Sequence, residues 1–174
     1  MLNKISLIIL LSIGVITTSS CKKPIPKPPF SKLSLKLEPQ KQVYSIGEEV
    51  IVLANLSNQS KDTLVINDRF LFGYEEEFDR EIYFRIYTEN GDRYDLPEDH
   101  QTCIFPVTVT LEDLKTLAPG ENVHYNISLT TLSPIKDPGK YEIVGVYEAG
   151  QFNGIPNLYR ARTVSQPIEI EIVK

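Results

Sequence analysis

Any chemistry this 174-residue chain performs would have to come from a few polar groups. Cys103 lies three positions after His100. A thiol beside an imidazole is the minimum for a thiolate nucleophile, because the base takes the proton and lowers the thiol pKa. The setting Gln101-Thr102-Cys103-Ile104-Phe105 reads instead as a small buried hydrophobe, the commoner fate of a free cysteine. Glu98, Asp99 and His100 offer acid–base or metal donors, but no third ligand stands near them. Glu75, Glu76, Glu77 and Asp79 supply hard oxygens of the kind calcium takes. Consecutive carboxylates cannot all face one ion, and the spacing matches no calcium loop, so a solvated acidic connection is expected. No catalytic residue, metal site or cofactor is therefore assigned. With two histidines and no H-E-x-x-H, the histidine-based zinc hydrolases are excluded.

The balance of charge narrows the partners. The formal net charge is −5, and nucleic-acid binding needs a cationic surface, so no nucleic-acid partner is expected. Two cysteines are too few for a disulfide-built scaffold. At 41% hydrophobic and 24% charged, the chain has the composition of an ordinary folded domain.

The elements that would position any site begin after a leader. Lys4 precedes an apolar run from Ile5 to Ile16 that ends in Thr17-Thr18-Ser19-Ser20-Cys21. A dozen apolar residues suit a secretory signal peptide and fall short of the ~20 needed to span a bilayer. Small residues directly before a cysteine resemble the bacterial lipobox, although Thr18 stands where an aliphatic residue is usual. The resemblance implies cleavage after residue 20 and acylation of Cys21. It places the mature chain in the bacterial cell envelope, with the lipid bilayer as one partner through its acyl chains and the outer membrane as the favoured location. Two or more acyl chains hold a protein stably where one does not. Residues 21–30 then form a tether, with four prolines between Lys22 and Phe30. Such a stretch favours extended polyproline II at about 3.1 Å per residue.

From residue 31 to 174 one domain's worth of chain remains. Its signal is alternation. Leu33, Leu35 and Leu37 alternate, as do Val50, Val52, Ala54 and Leu56. Leu64 and Ile66 make a short strand, and Ile82, Phe84 and Ile86 a longer one that runs into an Asn90-Gly91 hairpin turn. Residues 107–111, 123–129, 141–147 and 168–172 continue the pattern, with Glu169 and Glu171 giving the last strand a solvated face and the potential of a sheet edge. Residues 112–116 break it and suggest a short helical turn. Short strands between Gly and Pro turns predict an all-β fold, an antiparallel sandwich of about seven to nine strands.

The most specific pattern is Asp137-Pro138-Gly139-Lys140-Tyr141-Glu142-Ile143. It resembles the tyrosine corner of immunoglobulin domains, in which the tyrosine hydroxyl bonds back to the chain upstream. Asp137, Gly139 and Tyr141 match, and Ile143 stands where antibody domains have a cysteine, with Val52 or Ala54 as its expected partner. There is no tryptophan. Tyr44-Ser45-Ile46-Gly47-Glu48, then Leu56 and Asn58, then Leu117-Ala118-Pro119-Gly120-Glu121 precede it. In that order they resemble the bacterial immunoglobulin-like modules of secreted and envelope proteins. The resemblance implies a fold and leaves function open.

Immunoglobulin sandwiches bind through loops at one end. The connection over residues 148–166 carries Gln151, Phe152, Asn153, Asn157, Tyr159 and Arg160, an amide, aromatic and arginine mixture suited to contact surfaces. Phe70, Phe72, Tyr74 and Phe78 make a second aromatic connection, expected to pack over the sandwich. The reading that follows is a non-catalytic envelope lipoprotein presenting one immunoglobulin-like domain to a protein partner or extracellular ligand. A proteinase inhibitor using its end loops, and an accessory subunit of an outer-membrane uptake or assembly system, are the alternatives.

Overall fold

The computed structural model describes residues 31–70, 72–73, 81–94, 110–131, 135–148 and 158–174, with backbone only at 72–73. The signal-peptide and tether expectations, including Cys21, lie outside these residues.

Alternation builds the first sheet. In β1 (Leu33–Pro39) the leucines are buried and the intervening Ser34, Lys36 and Glu38 exposed. In β3 (Ile51–Asn58) Val52, Ala54, Leu56 and Asn58 are fully buried, and the residues between them half-buried. β3 runs antiparallel between β1 and β8 (Asn122–Ser128). The second sheet has the order β2 (Val43–Ser45), β11 (Ile168–Val173), β9 (Gly139–Tyr147), β6 (Ile82–Thr88), β5 (Phe72–Gly73). β10 (Thr163–Val164) pairs with β9 beyond β11. β4 (Leu64–Asn67) and β7 (Leu114–Leu117) form a separate antiparallel pair. The inner faces of the sheets share one core, which holds Ile143 together with Val52 and Ala54. This is an immunoglobulin-like β-sandwich.

Eleven strands appear among the described residues, more than the seven to nine expected. The excess lies in β2, β5 and β10, which are two or three residues long and too short to show a period. Two pairings are parallel, β2 with β11 and β5 with β6, so the sandwich is not wholly antiparallel. β2 also corrects the expectation that β11 forms a sheet edge. After β1 the chain crosses to the other sheet, and β2 covers Glu171, Ile172 and Val173 of β11. Tyr44, almost fully buried, secures the crossing by donating its hydroxyl proton to the Ile51 carbonyl at 3.2 Å.

A second correction concerns residues 107–116. Residues 107–109 lie outside the described set, and Leu111 is not in a strand but 79% exposed in a 3₁₀ turn, Leu111–Asp113. The Asp113 carboxylate closes that turn by accepting the Thr110 N–H at 2.6 Å and its hydroxyl at 3.0 Å. The helical turn expected over residues 112–116 therefore ends early, and Leu117, with no exposed surface, draws the rest into β7.

The two Gly-Glu turns work alike. Gly47 and Gly120 take φ of +80° and +79°, which side-chain-bearing residues adopt only under strain. Each following glutamate reaches back three residues, Glu48 to the Ser45 N–H (3.0 Å) and Glu121 to the Ala118 N–H (2.9 Å). Asn58 links the second turn to β3, since its amide donates to the Leu117 carbonyl at 3.0 Å.

Gly145 sits on the inward row of β9, between Ile143 and Tyr147. A Cβ there would lie 3.1 Å from both terminal methyls of Leu37 and 3.3 Å from one of Leu35. The absent side chain is what lets β1 approach β9. Gly145→Val should overpack this contact and cost about 1–3 kcal/mol, read as a lowered urea midpoint with the strand signal in circular dichroism retained.

Candidate functional site

One end of the sandwich is organised around a buried carboxylate. Glu81, just before β6, is 2% exposed. An uncompensated carboxylate there would be strongly unfavourable. Its Oε1 accepts the Asn67 amide at 2.8 Å and Arg69 Nε at 3.2 Å, and pairs with Arg69 Nη2. Asn67, fully buried at the end of β4, has its own backbone held by the Tyr147 hydroxyl. That hydroxyl accepts the Asn67 N–H at 3.1 Å and donates to its carbonyl at 3.2 Å. The Glu81 carbonyl accepts the Glu148 N–H at 2.8 Å.

Phe70 follows with φ +51°, an unusual backbone state for a bulky residue. Packing holds it there. Its ring stacks on Tyr125 with centroids 3.9 Å apart and lies 5.8 Å from Tyr147. This agrees with the expected packing role of the aromatic connection at Phe70. The Phe72 side chain, Tyr74 and Phe78 lie outside the described residues. The Tyr125 hydroxyl donates to the Asp68 carboxylate. Burial, reinforced by that bond, holds the Tyr125 phenol well above its ordinary value of 10.0, and burial does the same for Tyr147.

The hub therefore joins the flanks of two connections. Arg69 and Phe70 precede residues 71–80 and Glu81 follows them, while Glu148 precedes 149–157. On the far side, Leu158 bridges to Val65, and the Tyr159 N–H donates to the Val65 carbonyl at 2.8 Å. Tyr159 is 7% exposed, and its hydroxyl bonds to Ser31 and, at 3.0 Å, to Thr163. Tyr159, expected in a binding loop, has its side chain buried and bonded to Ser31 and to Thr163, four residues on at the start of β10. Arg160 is exposed, and Arg162 lies 5.4 Å over the Tyr83 ring. Gln151, Phe152, Asn153 and Asn157 lie outside the described residues.

The other end holds Asp137, Gly139 and Tyr141. The Tyr141 hydroxyl donates to the Asp137 carbonyl at 2.8 Å, four residues upstream. Burial pushes this phenol up as well. Tyr94, from the return arm of the Asn90-Gly91 hairpin, meets Tyr141 edge-on at 5.6 Å and accepts the Lys136 N–H at 3.1 Å. Sequence reading missed Tyr94, which carries no local motif and acquires its role only when the hairpin folds back. It missed Asn67, Arg69 and Glu81 as well. For these, the visible signal was one glutamate directly ahead of the apolar alternation of β6.

His100, Cys103, Glu98, Asp99, Glu75, Glu76, Glu77 and Asp79 lie outside the described residues. Among the described residues no group of three or more His, Cys, Asp or Glu is placed to hold a metal. The hub is saturated by internal bonds, and what it does chemically is hold chain.

No protein-family model and no curated protein matches this chain. Solved structures similar to it include the CARDB domain of a Pyrococcus furiosus protein in complex with di-metal ions. That domain is 14% identical, with TM-score 0.40, over 83% of this chain and 90% of the other. A mutant β-glucosidase from Listeria innocua in complex with laminaribiose is 12% identical, with TM-score 0.39, over 83% of this chain. The chain spans 16% of that enzyme. Neither likeness brings an activity or a metal site to this chain.

Two outcomes follow from the hub. Arg69→Met leaves Glu81 buried without its cation and should cost about 3–5 kcal/mol; adding Glu81→Gln should recover part of that in urea unfolding. The pH effect has a definite sign. Tyr125 and Tyr147 hold their protons in the folded state above the pH at which the unfolded chain loses them. Their contribution is thus complete below about pH 10 and lost as pH rises beyond it. Phenolate absorbance should show both failing to titrate until the chain unfolds.

Proposed function

We propose that this protein is a membrane-tethered, non-catalytic envelope lipoprotein whose immunoglobulin-like domain binds a protein or extracellular ligand. The observation that carries the reading is the order of parts: an apolar leader ending at Cys21, a proline-rich spacer, then a sandwich that begins at Leu33. A leader of that kind delivers and anchors the chain, and the spacer lifts the domain off the bilayer. The domain supports the reading by its economy. Glu81, Arg69, Asn67, Tyr141 and Tyr147 are all engaged in holding the fold. What remains to meet a partner is the exposed sheet faces and the connections they flank.

The test has two stages. Cys21→Ser should move the protein from the membrane pellet to the soluble fraction, and mass spectrometry of the native form should show an acylated N-terminal peptide. An unmodified Cys21 in a processed or soluble native protein rejects the anchor. Crosslinking of the lipidated protein in its own membranes should then capture a defined partner through residues 70–79 or 148–166. Capture of a protease would favour the inhibitor reading instead, and capture of outer-membrane uptake or assembly components the accessory-subunit reading.

A further inference from the structure

Strand register makes the two ends of the sandwich unequal with respect to the tether. β1 starts at Leu33 beside Asn58 and finishes at Pro39 beside Val52. β9 ends at Tyr147, whose partner Thr163 bonds through its hydroxyl to Ser31 at 3.2 Å. Midway along, Gly145 lies against Leu35 and Leu37. The Tyr147 end of β9 and the Leu33 end of β1 are therefore one end. Glu81 belongs to it, because its neighbour Ile82 pairs with Tyr147. The Asn90-Gly91 turn, Gly139 and Val173 lie at the opposite end, since Thr88 pairs with Tyr141 and Ile172 with Gly139.

Ser31 is latched to the Glu81 end. Its hydroxyl bonds to those of Tyr159 and Thr163 and accepts the Leu33 N–H at 3.3 Å. The chain from Cys21 thus joins the fold at a fixed point. Residues 22–30 contain four prolines, and at polyproline II spacing they reach about 28 Å. β9 has nine residues, so the sandwich extends about 30 Å along its strands. A lipid on Cys21 holds the Glu81 end within about 28 Å of the bilayer. The tyrosine-corner end then stands about 30 Å further out.

That gap selects the partner. A globular domain of about 100 residues has a radius of gyration near 13 Å and is therefore roughly 34 Å across. A protein arriving from the aqueous phase does not fit beneath the sandwich, whereas a segment projecting from the bilayer does. The exposed Lys61, Glu121, Glu148 and Arg160 are at this end, and their mixed charges suit contact with a polar protein segment. We propose that the domain stands with its Glu81 end toward the bilayer, and that the surface around Lys61, Glu148 and Arg160 meets an integral membrane protein. The proposal rests on the reading of Cys21 as the anchor, and adds the orientation of the domain and the class of its partner.

The orientation is read by energy transfer. The full-length lipidated protein, in a Cys103→Ser background, carries a donor dye at Lys61→Cys or at Glu89→Cys, exposed positions at opposite ends. It is reconstituted into phosphatidylethanolamine and phosphatidylglycerol vesicles with an acceptor dye on the headgroups. The rate of transfer from position 61 should exceed that from position 89 at least about threefold, given the lengths of tether and domain. Equal rates, or a higher rate from position 89, overturn the orientation. The partner is read by placing the photocrosslinker benzoylphenylalanine at the same two positions in native membranes, which needs no change at Cys103. Position 61 should capture a protein that resists alkaline extraction from untreated membranes, and position 89 should not capture it. Capture from position 61 of extractable proteins alone, of the same protein equally from both ends, or of none overturns the partner class. Protein that fails to sediment with the vesicles overturns the anchor and this proposal together, whereas equal transfer from sedimenting protein overturns the proposal alone.

Discussion

β9 is the strand on which the rest of the structure depends. It pairs along both edges, with β6 on one side and β11 and β10 on the other. Both its faces are buried: Tyr141, Ile143 and Tyr147 look into the core, while Val144 and Val146 are covered on the opposite side. A strand in that position cannot shift register without turning every side chain to the wrong face. The two tyrosines at its ends exploit this rigidity. Tyr141 bonds the chain just upstream and fixes how β9 is entered, and Tyr147 grips the backbone of Asn67, eighty residues away, and fixes how β4 leaves. Gly145 between them admits the leucines of β1, so a missing side chain in the middle of β9 sets the distance between the sheets.

The polar interior follows from the same frame. Glu81 enters the core because it immediately precedes the buried Ile82, and once there it needs both a cation and a donor. Arg69 and Asn67 provide them from the connection after β4, with Phe70 bent into a left-handed state and stacked against Tyr125. A buried ion pair of this kind is weak evidence of stabilisation, since desolvation offsets much of the attraction. Its value is in geometry. It brings the flanks of residues 71–80 and 149–157 to one place.

The sheet margins show how the domain avoids indiscriminate pairing. β2 is three residues long, its Ser45 N–H is taken by Glu48, and Lys41 pairs with Glu48 beside it. Short length and local charge are the usual protections of an edge. The outer face of the first sheet keeps Ile51, Leu53 and Asn55 half-buried on its central strand, beside the exposed Ser34, Lys36 and Glu38 of β1.

Alternation in β1, β3, β6, β9 and β11 was legible in the sequence because a half-buried strand writes its faces at period two. The Gly-Glu turns were legible because positive φ selects glycine. The tyrosine-corner residues were legible as a pattern of spacing. The sequence did not show that Tyr44 carries the chain across to a parallel pairing with β11, that Tyr159 is buried against Ser31 and Thr163, or that Arg69 meets Glu81. Each of these joins residues whose neighbours along the chain say nothing about one another. Strands of two or three residues are invisible to periodicity, and buried polar partners are chosen by where β9 holds the backbone. The sequence by itself determined the class of fold and its turns, because those are local consequences of side-chain size and backbone freedom. The tertiary structure alone decided which polar groups are buried in holding the fold and which stay exposed, because that depends on which strands come to lie side by side.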